Sequence, residues 1–85
     1  MGTQLNDRIS VGAVFTGGAP APAWFVWNGR RYTVTAVTMR WRTAEGSATV
    51  LHLGVTDGTN LFELTLNQQT LVWQLRSVDG GGGNG

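Results

Sequence analysis

A chain of 85 residues, 13% of them charged, with net charge +1 and no cysteine, has room for one domain with one modest core. Multi-domain readings, a disulfide framework and a thiolate zinc site are excluded. All six basic residues are arginines, and so small a net charge gives no general attraction to nucleic acid or acidic lipid.

Residues 1–7 read as an N-terminal extension, residues 8–76 as a single domain and the glycine-rich residues 77–85 as a flexible tail. No basic segment followed by an apolar one opens the chain, and the longest apolar run, residues 21–27, is far too short to span a bilayer. The expectation is a cytoplasmic protein without membrane contact.

In residues 8–15, Ile9, Val11, Ala13 and Phe15 share one parity and predict a half-buried first strand. Residues 16–22 mix glycines with two prolines, which cannot donate to a ladder, and read as a loop.

The strongest local signal lies in residues 24–42. Asn28-Gly29, between two aromatic-rich runs, supplies the positive φ angles of a two-residue type I′ turn and predicts a tight hairpin. That turn pairs Trp27 with Arg30, Val26 with Arg31, Phe25 with Tyr32 and Trp24 with Thr33. It sorts Phe25, Trp27, Tyr32 and Val34 onto the core face and Trp24, Val26, Arg31, Thr33 and Thr35 onto the reverse. The apolar positions then change parity from Tyr32, Val34 and Ala36 to Val37, Met39 and Trp41, which predicts a β-bulge at 36–38 and a sharp bend in one long strand.

Residues 43–47 read as a polar turn. Thr49, Leu51, Leu53 and Val55 then alternate with Val50, His52 and Gly54 in a fourth strand, and residues 57–60 form the next turn. Phe62, Leu64 and Leu66 mark a fifth strand. A turn at Gln68-Gln69 sets Leu71, Trp73 and Leu75 inward on a sixth, opposite Leu66, Leu64 and Phe62 respectively. With no helical period anywhere, the expected fold is all-β: a small antiparallel six-stranded meander closing into a barrel or half-open barrel. Its apolar face must close on itself, be covered, or pack face to face across a dimer.

Catalysis needs converging titratable groups, and the chain offers one histidine and five carboxylates. Asp7 and Asp79 lie near the ends, Glu45 and Asp57 in turns, Glu63 at an outward position opposite Gln74, and His52 at outward parity. No catalytic residue, metal site, cofactor or small-molecule substrate is expected. The richer surface is the outer face of the hairpin, where Trp24, Val26 and Arg31 align with Arg40 and Arg42 beyond the bulge. Tryptophan and arginine are enriched at interaction hot spots, so the chain reads as a non-enzymatic protein-interaction module or a self-associating homodimer. Arginines interleaved with an aromatic also suit an alternative, weak and salt-dependent binding of single-stranded nucleic acid.

Phe25, Trp27, Gly29, Arg30, Tyr32 and Val34, with Trp41-Arg42, Phe62-Glu63-Leu64 and Trp73-x-Leu75, carry a resemblance across residues 22–75. The chain resembles a family of small bacterial proteins of unknown function, common in actinobacteria, with a Phe-x-Trp-x-Gly-Arg-x-Tyr-x-Val pattern. The resemblance implies a soluble β-rich domain. Through relatives beside or fused to error-prone polymerase-like proteins, it also implies an accessory role in DNA damage tolerance.

Overall fold

A computed structural model describes residues 3–17 and 19–80. The strands are β1 (Thr3–Thr16), β2 (Ala19–Trp27), β3 (Arg30–Thr33), β4 (Ala36–Glu45), β5 (Ala48–Thr56), β6 (Leu61–Asn67) and β7 (Trp73–Asp79). They form one antiparallel sheet in the order β3-β2-β1-β7-β6-β5-β4. Among the described residues no helix is long and apolar enough to cross a membrane.

The β2–β3 hairpin has the register that its turn dictates, from Trp27↔Arg30 to Trp24↔Thr33. Asn28 and Gly29 sit at φ of 53° and 76°, the left-handed conformation that a type I′ turn demands at both positions. Its inward face delivers Phe25 to the centre of the core at 0% exposure. Burial of such a side chain contributes about 1.5–3 kcal/mol. Tyr32 stacks on Phe25 with centroids 5.1 Å apart, and Phe62 meets both rings edge-on. Ile9, Leu51, Leu53, Val55, Leu64, Leu66 and Leu75 complete the cluster. Trp27, at its margin, donates its indole N–H to Asp7 Oδ2 at 2.9 Å.

Among the described residues the count is seven strands, not six, and the sheet is not closed into a barrel. The expected long strand after the hairpin breaks at Val34-Thr35. Val34 N–H still bonds Ala23 O of β2 at 2.9 Å, whereas Thr35 N–H bonds Thr56 O of β5 at 2.8 Å. Two residues thus carry the chain from one edge of the sheet to the other, and β3 and β4 end at opposite ends of the strand order. Strand β1 makes the matching bend, pairing with β7 through Thr3–Ile9 and with β2 through Ser10–Thr16.

The stretch expected as a loop is mostly strand, with Phe15↔Pro20 and Ala13↔Pro22 in the β1–β2 ladder. The two prolines are two residues apart, so their missing donors fall on one edge. Because β3 reaches only Trp24–Trp27, this part of β2 is paired on the β1 side alone and has an unpaired edge to accommodate them. Strand β1 begins at Thr3, inside the expected N-terminal extension, and β7 runs to Asp79, inside the expected tail, since Thr3↔Val78 and Gln4↔Ser77 pair through backbone groups that need no apolar pattern. The rest of the expected tail, residues 81–85, lies outside the described residues.

The predicted bulge is present, between Val37 and Met39 of β4. Its effect on the faces is the reverse of the expectation. The crossing at Val34-Thr35 already changes parity once, so that Val34 and Val37 both face the core, and the bulge at Thr38 changes it again. Arg40 then lies opposite Leu53 and Arg42 opposite Leu51 on the inner side, while Met39 and Trp41 turn outward. Leu71 is also not core. It is 70% exposed at φ 60°, and the β6–β7 register is Leu66↔Trp73 and Leu64↔Leu75. The cause is Asn67, whose Oδ1 accepts the N–H of Gln69 and of Thr70 and lengthens the expected two-residue turn. The slip is an even number of residues, so Trp73 and Leu75 keep their inward face.

Candidate functional site

The five residues expected to form one interaction face are distributed over two. Trp24, Val26 and Arg31 share the outer surface of β2–β3, where the Arg31 guanidinium lies 4.7 Å from the Trp24 ring centroid. The other side of that indole rests on Gly12 of β1, its cross-strand partner, at a distance that a Cβ would obstruct. Trp24 is therefore held between a glycine and a guanidinium, an aromatic cover over a bare strand position. Arg40 and Arg42 stand at the far end of the strand order and on the inner side. Arg40 Nη1 donates to Pro20 O at 2.6 Å, linking β4 to the unpaired edge of β2. The pair does not align with Arg31.

A second constellation occupies the outer face of β4–β6. His52 has the outward parity expected of it, yet it is buried. Trp41, directly opposite on β4, stacks on the imidazole with centroids 4.9 Å apart and planes 15° apart. Thr43 Oγ1 lies 2.7 Å from Nε2, and Glu63 Oε2 lies 2.9 Å from Nδ1. A carboxylate only accepts, so in its neutral form the His52 ring carries its proton on Nδ1, donates it to Glu63, and accepts the Thr43 hydroxyl at Nε2. Glu63 is thus engaged and half-buried instead of freely solvated, and its cross-strand partner is Ser77, not Gln74. The order hydroxyl, imidazole, carboxylate is that of an activated nucleophile. The same contacts make a rigid polar anchor for the outer face of β4. Further along that face, Arg76 of β7 reaches Glu45 of β4 at 3.4 Å across two strands, beside buried Val50 and Thr65.

What this anchor holds in place is an edge. Strand β4 ends the sheet, and of its ten residues every one but Val37 is exposed. Met39 and Trp41 are 62% and 37% exposed, and with Leu61 they border an outer groove of about 210 Å³ floored by Gly54. On the other side, Arg40 and Arg42 border a pocket of about 130 Å³ lined also by Trp41, His52, Leu51 and Leu53 and faced across the edge by Ala19 and Pro20 of β2. The edge therefore has a recess along each face.

Reading the residues singly missed both the Trp41–His52 pair and the position of the arginines, although a signal existed. A two-residue turn at Gly46-Ser47 pairs Glu45 with Ala48, and counting outward gives Trp41↔His52 and Arg40↔Leu53, as found. Comparison with family models, with curated proteins and with solved structures found no match.

Proposed function

We propose that this chain is a non-catalytic protein-interaction module that binds an extended polypeptide segment by strand addition along β4. The observation that carries the reading is the ten-residue exposed edge with a recess on each face. In recognition of this kind, main-chain hydrogen bonds supply affinity and side-chain recesses supply selectivity. The edge is held ready by contacts behind it. His52 fixes Trp41 and Thr43 from outside, and Arg40 ties the inner side to β2. Little ordering is then needed at the moment of binding. An arginine stripe for nucleic acid would need Arg31, Arg40 and Arg42 on one face, and they lie on two.

The test is selection of random eight-residue peptides on the immobilised protein, followed by hydrogen exchange of the complex. Selected peptides should protect β4 amides. They should also lose binding to whichever of Arg42→Pro and Thr43→Pro leaves the fold intact, because neighbouring N–H groups of an edge strand face opposite sides. Protection confined to another part of the sheet, or binding unaffected by the proline, overturns the proposal.

A further inference from the structure

We infer that the occupant of the β4 edge is a segment with carboxylates at every second position and apolar side chains between them, an inference that rests on the strand-addition reading above. Side chains alternate between the two faces of a strand, and directly opposite residues of neighbouring strands share a face. A strand laid along residues 39–43 thus sets one half of its side chains beside Met39, Trp41 and Thr43 and the other half beside Arg40 and Arg42. The first half meets a thioether and an indole at the mouth of the outer groove. The second meets two guanidiniums at the mouth of the inner pocket.

Among the described residues no carboxylate pairs with the charge on the inner side. Arg40 is bound to a neutral carbonyl, that of Pro20, and Arg42 has no ion-pair partner among the described residues. Glu45, the acidic residue of β4 itself, is directed to the outer face and held by Arg76. Two arginines two residues apart on an edge therefore select carboxylates with the same spacing.

A second copy of this chain is a poor occupant. Antiparallel self-pairing centred on Arg40 sets Arg40 against Arg40, centred on Trp41 it sets Arg40 against Arg42, and centred on Arg42 it sets Arg42 against Arg42. Like charges directly opposite are destabilising. In these registers a different, acidic chain is favoured over a second copy.

The experiment uses three labelled peptides, Val-Glu-Ile-Glu-Val-Glu-Ile and its glutamine and lysine counterparts, titrated against the full chain by fluorescence anisotropy. The glutamate peptide should bind about tenfold tighter than the glutamine one at low ionic strength, the effect of two favourable cross-strand pairs. The margin should shrink with added salt. Arg40→Glu combined with Arg42→Glu should invert the order so that the lysine peptide binds best, a reversal that simple loss of fold would not produce. If the lysine peptide binds wild type as tightly as the glutamate one, or if the double variant leaves the order unchanged, the charge assignment is overturned while strand addition stands. If none of the three binds, or if N-methylation of alternate peptide residues has no effect on binding, strand addition along β4 is itself overturned.

Discussion

The indole of Trp41 lies parallel to the imidazole of His52, and the contact joins the edge strand to its neighbour on the side away from the core. Thr43 and Glu63 occupy the two ring nitrogens, so the histidine has no polar atom left for solvent. Its role follows from those contacts: it holds the outer face of the edge in one arrangement.

Replacing His52 by alanine removes the stack and leaves Glu63 half-buried without its donor. The expected loss is about 1–3 kcal/mol, the cost of stranding a buried polar partner. Urea denaturation should show a lowered midpoint at unchanged slope, and near-ultraviolet circular dichroism should report Trp41 released from its fixed orientation. An unchanged midpoint would mean that the network adds no stability to the edge.

Gly12→Ala tests whether Trp24 is structural. An alanine at a strand position is ordinarily no worse than glycine. Here, however, its Cβ would meet the indole, and the clash is expected to cost about 1–3 kcal/mol. A crystal structure or side-chain nuclear magnetic resonance of the variant should find Trp24 displaced and its contact with Arg31 broken. A variant as stable as wild type, with Trp24 unmoved, would contradict the close approach.

Leu71 provides the converse case. Were it a core residue, truncation would cost about 2–5 kcal/mol. In the structure it is exposed in the left-handed region, a conformation that disfavours an L side chain. Leu71→Gly is therefore expected to raise stability by about 0.5–1 kcal/mol, the relief of strain less the added freedom of the unfolded chain. Thermal denaturation decides between the two, since they differ in sign.

Acid sensitivity should reside partly at Asp57. Burial pushes its carboxyl group up, but the N–H groups of Asn60 and Thr59, the Asn60 amide and its own N–H together outweigh that and hold it below the ordinary carboxylate value. A depressed pKa in the folded state means stability that is full above the unfolded value of about 3.9 and is lost as the pH falls through the folded value. Asp57→Asn keeps an acceptor oxygen but cannot titrate, so its denaturation midpoint should fall less between about pH 6 and pH 2.5 than that of wild type. Parallel acid profiles would remove Asp57 from the account.

The alternation of the chain, with no help from tertiary contacts, determined that it is all-β. Asn28-Gly29 determined the register of the central hairpin. These properties were legible because a two-residue turn and a period of two act between residues close in the chain. Tertiary structure alone decided the rest. Val34 bonds to β2 and Thr35 to β5, toward opposite ends of the strand order, a choice set by which strands lie beside them and not by their side chains. That crossing supplied a parity change, the bulge at Thr38 supplied another, and their sum placed Arg40 and Arg42 on the inner side and Trp41 over His52. A face is the accumulated result of every irregularity before it, so the positions farthest past the bend, which frame the candidate site, were the least legible in the sequence.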